Sequence, residues 1–290
     1  MKTLKDIILE KLKVDDINFD TLDEELKEKY KLVYNPKTNY YDCNGDIKVS
    51  DDLIEDGHFI CDFGVIKGRF YCIGSKTLES LKGAPKKVEK DFYCVCCDKL
   101  KSLKGAPKEV EGFNCSECNS LKSLEGAPEK VNGFFTCSEC ENLETLKGVP
   151  EKVGAGFDCS YCKNLKSLEY APKEVGKRFD CSHCDSLKSL EGAPKKINRP
   201  FYCESCKNLE TLKGAPREIG KSFSCMKCEN LKSLEGAPEK VGGDFNCTFC
   251  ENLETLKGAP KEVGGDFYCY NCDSLTNYAI DTKIGGKFYK

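Results

Sequence analysis

The chain has 290 residues, 22 of them cysteine, no tryptophan and a formal net charge of −3. Lys plus Arg nearly balances Asp plus Glu, which is not the signature of a polyanion-binding surface, so direct nucleic-acid binding is not expected. No apolar run reaches the length of a membrane span, and the run near the N-terminus is broken by Glu10 and Lys11, which leaves neither signal peptide nor membrane segment and an expected cytoplasmic location.

In chain order, Leu4, Ile7, Ile8 and Leu12, then Leu22, Leu26 and Tyr30, have helical spacing and predict one or two short amphipathic helices. Residues 39–64 hold strand-like stretches, YYDCNGDIKV and HFICDF. Together, residues 1–64 read as an N-terminal cap of helix and strand.

From residue 65 to 290 one motif recurs, V-x-G-x-F-x-C-x-x-C-x-x-L-x-S-L-x-G-A-P. Its first cysteine falls at Cys72, Cys94, Cys115, Cys137, Cys159, Cys181, Cys203, Cys225, Cys247 and Cys269. The step is 22 residues except between Cys94 and Cys115, where it is 21 because one residue is missing between Val110 and Phe113. The second cysteine follows in every copy but the first, which has Ser75. Phe-x-Cys has period two, so both side chains leave a short strand on one side. Gly-Ala-Pro excludes a long helix. Val or Ile then returns to the core. The residue after it (Gly154, Gly176, Asn198, Gly220, Gly242, Gly264) suits a left-handed turn into the next strand. A unit this small buries its apolar residues only by stacking on its neighbours. The expected architecture is a mainly β repeat solenoid of ten coils plus a final strand at Phe288, with parallel strands on one side and an irregular opposite side.

F-x-C-x-x-C-x-x-L resembles the strand signature of leucine-rich repeats, L-x-L-x-x-(N/C)-x-x-L, with the second Cys at the ladder position. The remainder, such as SLEGAPKEVGG, is similar to repeats of many phage and bacterial proteins. The resemblance implies a leucine-rich-repeat solenoid whose strand face is concave and carries the ligand.

C-x-x-C is a zinc signal in isolation. Here it recurs at the core period, and stacked thiols would stand about 4.8 Å apart, too far for an unadjusted four-thiolate site. Both columns read as buried structural thiols, and no metal or cofactor is expected. A zinc-stabilised cysteine scaffold is the alternative. Catalysis needs a nucleophile and base in a walled cleft, and a regular coil offers none, so no enzyme is expected. The Lys/Glu dipeptides after each Pro read as a solvated face.

Function is expected where the copies differ, since positions free to vary carry no shared structural duty. The residue between Phe and Cys runs through Tyr71, Tyr93, Asp158, Asp180, Tyr202 and Tyr268. Two residues after the first Cys come Glu117, Glu139, Tyr161, His183, Lys227 and Phe249, with Tyr270 beside them. Exposed aromatics on a rigid sheet are typical binding hot spots. Acids outnumber bases there, which suits a protein partner with a basic surface. The expected function is non-catalytic binding of a macromolecular partner, in its sharper form a phage-type inhibitor of a host defence or regulatory protein. A passive assembly or adhesion element, joined end to end through the last strand, is a further alternative.

Overall fold

The computed structural model describes residue 20 and residues 22–290. The helix expected around Leu4–Leu12 lies outside the described residues. The second expected helix is present as Glu24–Tyr30, where Asp23 caps the first turn by accepting from the Glu25 amide at 2.7 Å. Leu22 and Tyr30 are buried and Leu26 packs against the core, as their spacing requires.

Every Phe-x-Cys unit forms a short strand that pairs in parallel, and in register, with the same unit of the next coil. Ten such strands, flanked by Ile47–Val49 at one end and Phe288–Tyr289 at the other, make one continuous twelve-stranded front sheet. The sheet thus begins inside the segment expected to form the cap. Phe stands opposite Phe at each step, for example Phe113 opposite Phe135 and Phe157 opposite Phe179. Equal coil lengths therefore stack the rings inside the solenoid, with centroids 4.9–5.7 Å apart from Phe70 to Phe267. The 21-residue coil keeps this register, since Phe113 pairs with Phe92 as well as Phe135. Its missing residue is absorbed outside the strand.

The side expected to be irregular carries short ladders of its own. The dipeptide of one charged residue and Val or Ile forms a two-residue strand in each coil. Lys87–Val88 joins a sheet with strands of the N-terminal segment, and the others assemble into a four-stranded sheet, Glu109–Val110 to Glu174–Val175, and a five-stranded one, Lys196–Ile197 to Lys283–Ile284. The preceding proline blocks helix, and a β-branched residue favours the extended backbone. Val or Ile points inward and is buried in nearly every coil, while the charged residue is exposed or half-buried.

The glycines after these strands do not adopt the expected left-handed conformation; positive φ falls instead on the glycine two residues before the proline, such as Gly105, Gly126 and Gly148, and on Gly57 and Gly74. Gly154, Gly176, Gly220, Gly242 and Gly264 are needed for close approach instead. A Cβ built on them would stand 1.9–2.5 Å from the carbonyl oxygen of the coil before. Asn198 occupies the same column with a side chain, and the back sheet is interrupted just before it.

Both cysteine columns point inward and are buried, as are the two leucines of each coil. Among the described residues no helix is long and apolar enough to cross a membrane.

Candidate functional site

Beyond each first cysteine the chain leaves the front sheet through one repeated turn. The second residue after that cysteine is left-handed in every coil. Gly74 has φ 71°, and Cys96, Glu117, Glu139, Tyr161, His183, Ser205, Lys227, Phe249 and Asn271 have φ of 52–60°. Left-handed backbone costs a non-glycine residue about 1–2 kcal/mol. The turn is held by the next coil. The amide of Tyr161 donates to the Ser182 carbonyl at 2.8 Å, that of His183 to Glu204 at 2.7 Å, and that of Lys227 to Thr248 at 2.9 Å.

The same turn aims the second cysteine into the coil. Its thiol donates to the carbonyl of the first cysteine one coil back: Cys118 to Cys94 at 3.0 Å, Cys140 to Cys115 at 3.2 Å, Cys162 to Cys137 and Cys184 to Cys159 at 3.1 Å. The column is thus a ladder of donors that satisfies buried carbonyls. Burial pushes the thiols of Cys181, Cys203, Cys206 and Cys247 well above the ordinary range, which disfavours thiolate chemistry. Among the described residues no group of three or more His, Cys, Asp or Glu is placed to hold a metal ion.

The strained column should relax on substitution by glycine. Glu139→Gly is expected to raise stability by about 0.5–1 kcal/mol, the gain in backbone fit being offset in part by unfolded-chain entropy. Urea denaturation measures it, and a loss of stability would mean that the glutamate side chain itself holds the turn.

The outward residues lie in three adjacent columns. Tyr71, Tyr93, Asp158, Asp180, Tyr202 and Tyr268 project from the strands. Tyr270 follows Cys269 directly, in the column that elsewhere holds Ser116, Ser160, Ser182 and Thr248. Glu117, Glu139, Tyr161, His183, Lys227 and Phe249 occupy the left-handed column. Register makes neighbours stack. Tyr71 lies on Tyr93 at 4.9 Å, Tyr268 on Tyr289 at 4.8 Å, and Tyr161 on His183 at 4.1 Å and 8°. Lys227 sits 5.7 Å over the Phe249 ring, whose edge meets Tyr270 at 6.0 Å. Tyr161, Phe249 and Tyr270 are the most accessible of the aromatic candidates, at 43%, 39% and 40%, so they carry the largest unspent contact area.

The variable strand residues do have a structural duty, which their variation concealed. Asn114, Asp158, Asp180 and Asn246 each accept from the amide two residues on, at 2.8–3.0 Å. These are local turns of the kind Asn and Asp favour. The acidity of the face is also less free than its composition suggests. Arg178 pairs with Asp158 at 3.1 Å and approaches Asp180 at 3.7 Å, and its guanidinium lies 6.0 Å over Tyr202. Burial pushes the Asp180 carboxyl above the ordinary carboxylate range. The Asp266 carboxylate accepts from the Tyr268 hydroxyl at 2.8 Å, which pushes that phenol up to about 12.

A further exposed aromatic, Phe134, stands at the edge of this face. Its ring lies against Gly156, where a built Cβ would come within 2.9 Å of it, and Lys177 sits 5.8 Å above. Comparison with family models, with curated proteins and with solved structures finds no match to this chain.

Proposed function

We propose that the chain is a non-catalytic binding protein of leucine-rich-repeat type that engages a protein partner through the front sheet. The observation that carries the reading is the three-column surface of stacked and exposed aromatics on a backbone fixed by coil-to-coil hydrogen bonds. Such side chains lose little freedom on binding, and preorganisation of this kind favours affinity. The leucine-rich-repeat assignment is supported by the thiol ladder, which occupies the Asn/Cys position and donates to the carbonyl one coil back.

Acidic residues on the face, among them Glu117 and Glu139, favour a partner with a basic surface. The sharper reading is an inhibitor of phage type that occupies the nucleic-acid-binding surface of a host defence or regulatory protein. It rests on this charge and on the repeat resemblance.

Affinity capture from the native host, with wild type beside Tyr161→Ala/Phe249→Ala/Tyr270→Ala, tests the face. Hot-spot truncations of this kind cost about 2 kcal/mol or more each, so affinity for the captured protein is expected to fall about 100-fold or more. Unchanged affinity in the folded triple variant would remove the front face from the reading.

A further inference from the structure

Charge along the back of the coil follows a rule of opposites. The dipeptide before each Val or Ile combines one cation and one glutamate in most coils, and most neighbouring pairs of such coils reverse the order. Lys108 meets Glu129 at 3.2 Å, Lys152 meets Glu174 at 2.8 Å, Arg217 meets Glu239 at 3.0 Å and Lys240 meets Glu262 at 3.0 Å. Like charges stacked in register destabilise a sheet, so alternation suits a solenoid.

The rule fails at Lys86–Lys87 and again at Lys195–Lys196, and the second failure lies amid further cations. Residues 194–201 carry a formal charge of +3 and their neighbours 172–179 and 216–223 carry +2 and +1, while the other segments that begin at the proline carry between −1 and +1. Three of these cations are paired across coils, Lys173 with Glu151, Arg178 with Asp158 and Arg217 with Glu239, and the uncompensated excess centres on residues 194–201. Lys173, Lys195 and Arg217 follow one another in one column, and Lys177, Arg199 and Lys221 in a second, all of them exposed. Lys195, Lys196, Arg199 and Lys221 have no carboxylate at ion-pair distance among the described residues.

The backbone changes at the same place. The back ladder, broken once between Lys87–Val88 and Glu109–Val110, is broken again between Glu174–Val175 and Lys196–Ile197. A groove of about 370 Å³ opens across the break. Lys152, Lys173, Lys195 and Lys196 line it together with Asn198 and with Glu174, which pairs with Lys152, and Gly154 and Gly176 add no side chain.

We propose that this groove and the cations beside it bind a small anion carrying several phosphate groups. Charge density decides the class. Three coils span two strand spacings, about 10 Å. An extended acidic peptide presents a carboxylate to one face only every ~6.6–6.8 Å, hence one or two over that span. A phosphate group carries about −1.5 to −2, so a few linked phosphates balance the patch. Arg199 adds a planar fork suited to phosphate oxygens. A long nucleic-acid strand would need the cationic track to continue, but the adjoining segments 150–157 and 238–245 carry 0 and −1.

Calorimetric titration of the full chain with inorganic tripolyphosphate tests the site. Saturable one-site binding that weakens with added salt is expected. Lys195→Ala/Lys196→Ala/Arg199→Ala should weaken it roughly 10-fold or more, while Lys86→Ala/Lys87→Ala/Lys90→Ala, which removes as much charge elsewhere, should leave it within about 2-fold. Loss of like-charge repulsion should keep the first variant folded. Lys195→Gln alone, about 2-fold weaker, gives the same reading from a single exposed change. Equal losses in both triple variants, or no saturable tripolyphosphate binding to wild type, overturn the proposal. So does tighter binding of a short single-stranded oligonucleotide than of tripolyphosphate, which would make the patch a nucleic-acid track.

Discussion

Phe157→Ala is expected to lower the unfolding free energy by about 3–5 kcal/mol, the range for removing a fully buried aromatic ring. The Phe157 ring is inaccessible to solvent and lies between Phe135 at 5.6 Å and Phe179 at 5.4 Å. Front strands in this region are two residues long, so few ladder hydrogen bonds compensate for a lost ring. The vacancy also breaks a column, not one contact. In a solenoid each coil is stabilised by its two neighbours, and a defect weakens both interfaces. Hydrogen exchange should show lost protection centred on the coils of Phe135, Phe157 and Phe179, with the terminal coils protected as before. A shift below about 1 kcal/mol in urea denaturation would mean that the coil collapses onto the gap.

The second large effect falls on a glycine. Gly148→Ala is expected to cost about 2–4 kcal/mol, from backbone strain and overpacking together. Gly148 has φ 108°, beyond the left-handed basin open to other residues, and a built Cβ would lie 2.1 Å from the Leu124 carbonyl oxygen. A departure in this column shows what a side chain requires. Tyr170 stands where the coils on either side have glycine, and its φ is 69°. An alanine at 148 would have to reach a similar angle, against a carbonyl already in van der Waals contact. Thermal unfolding of Gly148→Ala beside Lys147→Ala, an exposed neighbour, separates this cost from a general surface effect.

The legible part of the fold was the part written in repeated residue types. Phe, the two cysteines, the two leucines and Val recur at a fixed step, so the front sheet, its register and its buried columns follow from the sequence. The back ladders were not legible, because a two-residue strand such as Lys152–Val153 is too short to show a period. The glycine after it was read as a turn former, when its duty is to let two coils approach. The left-handed column was hidden for the opposite reason. Glu139, Tyr161, His183, Lys227 and Phe249 are not residues that announce positive φ, and only the surrounding hydrogen bonds impose it. At the candidate face, position was legible and occupancy was not. Nothing in the spacing of Asp158 and Asp180 shows that Arg178 engages both. The basic patch was masked by averaging: a near-neutral total says nothing about three consecutive coils.

The uniform turn has a consequence for how such a surface changes over time. Because the backbone penalty at each left-handed position is already met by the next coil, exchanging one residue there alters chemistry without altering shape. Each coil can drift separately, and duplication or loss of a whole coil lengthens or shortens the array by one spacing while leaving the remaining rungs as they were. Natural variants of this chain should therefore differ first in the identities along this column and in coil number, and last in the turn that displays them.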